Sequence, residues 1–99
     1  MKLRVVDGAR DDLIAGFNFY EAREQGIGDH FLACLYSDVE SLRIFGAIHR
    51  RVYKNLQRSL SKRFPFAIYY TVENDSVIVR AILDCRRNPS WIRSRLRIA

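Results

Sequence analysis

Two apolar runs near the carboxyl end set the terms for everything else in this chain. Phe66 to Val72 is dense in aromatic and β-branched residues, and Val77 to Cys85 is apolar on both faces apart from Arg80 and Asp84. Glu73-Asn74-Asp75-Ser76 between them reads as a tight turn, because Asn and Asp tolerate left-handed backbone angles. The pair is therefore an antiparallel hairpin. A strand apolar on both faces must lie inside a sheet and be covered by other elements.

The amino-terminal half supplies that cover. Leu3, Val5 and Val6 predict a short strand over about residues 2–6, and Asp7-Gly8 then punctuates the chain, with Asp7 as the helix N-cap. Asp11 and Asp12 are placed in the first turn, where carboxylates complement the helix dipole. Leu13, Phe17 and Tyr20, with Ile14 beside them, give one apolar face to a helix over about residues 8–25. Gly26-Ile27-Gly28 breaks it. Phe31, Leu32, Leu35, Val39 and Leu42 then form the stripe of a second helix over about residues 29–47, which the short break makes antiparallel to the first. Strands are predicted over about residues 54–62, 65–72 and 77–85, followed by a tail over 86–99 that includes a short helix near Trp91 and Ile92. In the first of these strands Leu56, Arg58 and Leu60 alternate with Asn55, Gln57, Ser59 and Ser61, so it is partly polar and more exposed than central. The expected fold class is α+β in two layers: an amino-terminal strand, a helical hairpin, then a three-stranded antiparallel meander forming one sheet.

At 99 residues one domain, 1–99, accounts for the chain, and 48% hydrophobic with 28% charged residues is an ordinary globular balance. No apolar run reaches membrane-spanning length, the start MKLRVVDGARDD has no signal-peptide core, and a cytoplasmic location with no membrane partner is expected. Cys34 and Cys85 are the two cysteines and stand far apart, which allows neither a disulfide scaffold nor a tetrahedral zinc site. Cys34 sits among apolar helix residues and reads as a small hydrophobe, as does Cys85 at a strand end.

The net charge of +6 conceals an asymmetry: residues 1–49 net −3 and residues 50–99 net +9. Such a split suggests two faces with different tasks and an acidic partner for the basic one. Motifs for nucleotide binding, nucleophilic hydrolysis and metalloprotease chemistry are all missing, and His30 and His49 are isolated, so no metal and no cofactor is expected. Asp84 reads as an ion-pair partner of Arg86 and Arg87. What remains is a set of cations, Lys54, Arg58, Lys62, Arg63, Arg80, Arg86 and Arg87, with Tyr53, Tyr69 and Trp91 as nearby aromatics. Arginine suits bidentate recognition of phosphate and carboxylate.

The stretch Arg63-Phe64-Pro65-Phe66-Ala67-Ile68-Tyr69-Tyr70, the acidic turn, the Val77–Leu83 strand and then Asp84-Cys85-Arg86-Arg87-Asn88-Pro89-Ser90-Trp91 resemble the ParE-like branch of the RelE/ParE toxin superfamily. Asp12-Leu13, Phe19-Tyr20 and the Gly-interrupted helical hairpin with Phe31 and Leu35 fit the same layout, so the resemblance covers nearly the whole chain. It implies the toxin of a type II toxin-antitoxin, or plasmid stabilisation, system, neutralised by a cognate antitoxin whose acidic segment wraps it.

That superfamily divides on mechanism. RelE-like members cut mRNA on the ribosome with fixed cations and a carboxyl-terminal proton-transfer group, whereas ParE-like members inhibit DNA gyrase. Here Ala67 stands at about the position of the RelE-type central-strand arginine, and no Tyr or His follows Pro89. Trp91 carries an indole donor that does not titrate usefully. The resemblance thus favours a non-enzymatic gyrase inhibitor, with Arg58, Arg63, Arg80, Arg86, Arg87 and Trp91 as target-binding residues. The alternative is a ribosome-dependent mRNA endonuclease acting through Lys54, Arg58, Arg86 and Arg87. One departure from the family pattern is Arg50-Arg51-Val52-Tyr53-Lys54-Asn55, which lacks the Pro/Gly-rich loop common between the second helix and the sheet.

Overall fold

The computed structural model describes residues 1–97; Ile98 and Ala99, the end of the expected tail, lie outside them. Strand β1 (Lys2–Val5) leads into helices α1 (Asp7–Arg23) and α2 (Ile27–Phe45), and a 3-10 turn (Gly46–Ile48) follows. Strands β2 (Arg51–Tyr53), β3 (Leu56–Leu60), β4 (Phe66–Glu73) and β5 (Ser76–Asp84) come next, and helix α3 (Pro89–Leu96) closes the chain. The five strands form one sheet in the order β1-β5-β4-β3-β2, with β1 parallel to β5 and every other pair antiparallel.

The α+β class, the helical hairpin and the interior position of the Val77–Cys85 strand agree with expectation. The three-stranded meander does not: four strands run antiparallel, because residues 51–60 fold into a hairpin of their own. Lys54, predicted inside a strand, occupies the turn of that hairpin with φ 49°. In β3 the alternation sets its polar side inward. Gln57 and Ser59 are buried against the helices while Arg58 and Leu60 face outward. Two open carbonyls explain this, since the Gln57 Nε2 amide donates to Gly46 O at 2.9 Å and His49 O at 2.8 Å. The Tyr70 hydroxyl donates to the same Gly46 carbonyl at 2.5 Å, and burial pushes its pKa up to about 12. These bonds satisfy the carbonyls that the end of α2 would otherwise leave unpaired.

Both helices begin differently from expectation. Val6 is the N-cap of α1, Asp7 is its first residue, and no side chain caps it. At α2 the cap comes from the other helix: the Glu21 carboxylate accepts from Gly26 N at 3.0 Å and from Gly28 N at 2.9 Å. Gly26 makes this turn possible with φ 95°.

The main core joins Ala9, Leu13, Phe31, Leu35, Val39 and Leu42 of the hairpin to Phe66, Ile68, Tyr70, Val77, Val79 and Ile82 of the sheet. A second, smaller core lies on the opposite face. There Ala67, Tyr69, Ala81 and Leu83 are covered by Leu56 and by Ile92 and Leu96 of α3. The tail helix therefore adds a partial third layer to the two expected. A β-bulge at Arg80 creates that face: Tyr70 pairs with Val79 and Tyr69 with Ala81, so Arg80 and Ala81 together oppose a single step of β4.

The α1–α2 crossing is tight. A Cβ at Gly16 would stand 2.6 Å from Phe31 Cε2, and Phe31 is fully buried. Gly16→Ala is expected to lower unfolding free energy by about 1–3 kcal/mol, overpacking outweighing the gain in helix propensity. Urea denaturation checks this, and an unchanged midpoint would contradict the close packing.

Candidate interaction surface

The cations singled out in the sequence divide into two groups once their partners are known. Arg80 donates from Nη2 to Glu73 Oε2 at 2.6 Å and from Nε to Thr71 Oγ1 at 3.2 Å. Arg86 grips Asp84 with two bonds, Nε to Oδ1 at 3.0 Å and Nη2 to Oδ2 at 2.7 Å. The Arg86 guanidinium, with the Arg86 backbone N–H at 2.8 Å, holds the Asp84 carboxyl below its usual range despite partial burial. The same bonds raise the pKa of Arg86 further above its ordinary value. The expected pairing of Asp84 is therefore made through Arg86. The Arg87 side chain lies instead over the Trp91 ring at 3.7 Å, a cation–π contact.

Arg95, which the sequence did not single out, has the most structural task. Its Nη2 donates to Asp12 Oδ1 at 2.5 Å and to Gly8 O at 3.2 Å, joining α3 to α1. The other Asp12 oxygen accepts from Ile82 N at 3.0 Å. β1 ends at Val5, opposite Val79, so the β5 edge runs on without a strand partner and Asp12 takes the N–H left open. Burial pushes the Asp12 carboxyl up, against the pull of the Ile82 N–H and of Arg95. Asp12 thus belongs to the packing of β5, not to the first turn of its helix.

Arg58, Arg63 and Lys54 remain exposed and form no ion pair among the described residues. Arg58 points from the outer side of β3 toward the end of β5, where its charge pulls down on the Cys85 thiol while burial, the larger effect, pushes that thiol up. The four residues of the nuclease reading are not brought together. Leu56, beside Lys54, lies at the Thr71 end of β4, whereas Asp84, two residues before Arg86, pairs with Phe66. Five residues of strand separate those ends, about 17 Å at ~3.3 Å per residue. Lys54 instead lines a groove of about 570 Å3 with Tyr53, Arg80, Arg95 and Arg97. Arg87 and Trp91 border a second cleft, about 250 Å3, with Phe19 and Asp84.

Lys62, also singled out in the sequence, joins the unpaired group. Arg50 and Arg51, which were not, are likewise exposed and without an ion pair among the described residues. One sequence signal would have found them: from Ser41 to Val72 there is not a single Asp or Glu. Among the described residues no cluster of His, Cys, Asp or Glu could hold a metal ion, and no helix is long and apolar enough to cross a membrane. Cys34 lies 3.9 Å from both ring nitrogens of His30, and Cys85 is exposed at the end of β5.

The Asp84–Arg86 pair gives a pH signature with a definite sign. Asp84 has a folded-state pKa below its ordinary value of 3.8, so its stabilisation is present above that pH and is lost as pH falls through the folded value. The stability advantage of the natural chain over Asp84→Asn is therefore expected to shrink as pH drops from about 6 to about 2. Denaturant titrations across that range measure the gap, and a pH-independent gap would contradict the assignment.

No protein-family model and no curated protein matches the sequence. Among solved structures, the chain is similar to a chain of the chromosomal ParDE TA system from P. aeruginosa, at 17% identity. The TM-score is 0.75, over 83% of this chain and 92% of that one. At this level of identity the likeness concerns architecture, and the fold of the chain is that of a ParE-like toxin.

Proposed function

We propose that this chain is the toxin of a type II toxin-antitoxin system and that it acts by inhibiting DNA gyrase, without catalysis of its own. The observation carrying the proposal is the likeness in fold to a chain of the ParDE TA system along nearly the whole of that chain. Against a RelE-like cleavage reaction stand two features. Ala67 is completely buried beneath the tail helix, so no side chain at that position reaches a substrate phosphate. The separation of Lys54 from Arg86 also denies a single scissile phosphate the simultaneous contact that transition-state stabilisation needs.

The target-binding surface in this reading is the end of β5 with the start of α3. Arg87 and Trp91 form its exposed centre, with Arg58 and Arg63 beside it on the β3 side. Arg80 and Arg86, engaged by Glu73 and Asp84, set the shape of the surface more than its free charge.

The antitoxin reading draws on the opposite side of the molecule. β1 is an outer strand of the sheet, exposing Lys2 and Arg4, and open strand edges accept an added strand. Beside it an apolar trough on the hairpin is lined by Leu13, Ile14, Phe17, Leu32 and Tyr36, with Arg10 at its rim. An acidic antitoxin segment that pairs with β1 and lays an apolar helical face in this trough satisfies both features.

Pulse labelling after induction of this chain alone separates the mechanisms. Thymidine incorporation is expected to stop first while methionine incorporation persists; early collapse of methionine incorporation would establish the translation-blocking alternative. Arg87→Ala is expected to keep stability within about 1 kcal/mol, the worth of an exposed cation–π contact, while relieving the block to thymidine incorporation. An unrelieved block in a folded Arg87→Ala chain would remove Arg87 from the contact surface.

A further inference from the structure

From Ser41 to Val72 the chain carries seven cations, Arg43, Arg50, Arg51, Lys54, Arg58, Lys62 and Arg63, and no carboxylate. Among the described residues only Arg43 of these is ion-paired, to Glu40 at 2.6 Å. The other six are all exposed, and they follow one another along the β2–β3 hairpin and the loop after it, the edge of the sheet opposite β1. Folding gives such an arrangement nothing: like charges along one edge repel, and no partner within the described residues offsets them. Elsewhere in the sheet and tail Arg80, Arg86 and Arg95 each have a carboxylate, while Arg4, Arg87, Arg93 and Arg97 are exposed without an ion pair among the described residues. The longest stretch of the chain that carries cations and no carboxylate thus lies along one edge.

We infer that this edge binds the phosphate backbone of nucleic acid, without reading sequence, as a surface that shares Arg58 and Arg63 with the Arg87–Trp91 contact and whose Arg50, Arg51 and Lys54 end is separate from it. The edge itself decides between a nucleic acid and an acidic polypeptide strand. β2 is three residues long, its register with β3 shifts between Arg51 and Tyr53, and it is flanked by Arg50 and Lys54. Shortness, a bulge and positive charge are the features that blunt an edge against strand addition. A phosphodiester backbone needs no free ladder of N–H and C=O groups, only cations at suitable intervals. Lys54 to Lys62 spans eight residues, about 26 Å at ~3.3 Å per residue. That length matches about seven or eight phosphates along one strand at ~3.4 Å per step. The inference does not depend on the toxin reading, since it rests on charge and edge geometry alone.

The test is fluorescence anisotropy of the purified chain with a labelled 20-base-pair DNA duplex of mixed sequence, repeated over a range of NaCl concentrations. With four to six phosphates neutralised, log K against log salt is expected to fall with a slope of about −4 to −5. The triple variant Arg50→Glu, Arg51→Glu, Lys54→Glu is expected to lose at least about tenfold in affinity and to flatten the slope by about three. The control is Lys2→Glu, Arg4→Glu, Arg10→Glu, which changes net charge equally on the opposite edge and is expected to retain most of the affinity. All six substitutions are at exposed positions, and circular dichroism melting confirms that each variant is folded. Equal losses in the two triple variants, or a slope shallower than about −2, would overturn the inference by reducing the binding to diffuse net charge. A poly-glutamate peptide that displaces the duplex at equal or lower charge concentration would overturn it in favour of an acidic polypeptide.

Discussion

One carboxylate holds the two faces of this protein in register. Asp12 reaches from α1 to the Ile82 N–H of β5 with one oxygen and to Arg95 of α3 with the other. β5 is buried on both sides and stands between β1 and β4, but β1 stops at Val5 while β5 continues. An interior strand with an unpaired N–H would be costly, and Asp12 removes that cost. Its second bond anchors the tail helix, which covers Ala67, Tyr69, Ala81 and Leu83. Without that anchor, Ile92 and Leu96 alone would have to hold a short helix on the sheet. The proposed contact surface at Arg87 and Trp91 inherits its position from this carboxylate in α1.

The pairing of charges separates structure from recognition. Arg80, Arg86 and Arg95 meet Glu73, Asp84 and Asp12 at hydrogen-bonding distance, and the last two carboxylates are substantially buried. Carboxylates withdrawn from water in this way need their partners, so Arg86 and Arg95 are committed to the fold, whereas Arg80 pairs with the more exposed Glu73. The cations of the β2–β3 hairpin meet no such demand. A protein with a ParE-like fold thus presents three differently built surfaces: an open β1 edge beside an apolar trough, an aromatic and arginine contact at the end of β5, and a cationic edge. In the function proposed above, the second and third of these are the surfaces for gyrase and its DNA, and the first is the surface for an antitoxin.

Much of this was legible in the sequence. The Asn74 turn, where φ is 55°, the paired strands around it and the periodic stripes of both helices follow from local rules that need no tertiary information. What escaped was long-range or phase-dependent. The run Val77 to Leu83 is so apolar that no alternation marks the bulge at Arg80, yet the bulge sets which residues line the outer face. The alternation in β3 marked a partly polar strand without naming its inward side, and the structure turns Gln57 and Ser59 inward, with Gln57 donating to the carbonyls of Gly46 and His49. Asp12 looked like a helix-dipole residue because its strand partner lies 70 positions away. For the site, the sequence picked out Arg58, Arg63, Arg80, Arg86 and Arg87 without separating paired cations from free ones. Only the position of each carboxylate divided free cations from structural ones, and Arg50 and Arg51 entered through the absence of acidic neighbours.

The account turns on gyrase as the target, and a purified system addresses it directly. Gyrase, ATP and relaxed plasmid would be incubated with increasing amounts of this chain, and a cell-free translation reaction would be dosed in parallel. Supercoiling is predicted to cease and linear plasmid to accumulate after protease treatment, while the reporter mRNA stays intact and translated. Undiminished supercoiling together with fragmented reporter mRNA would contradict the account and make the chain a nuclease of the translation machinery.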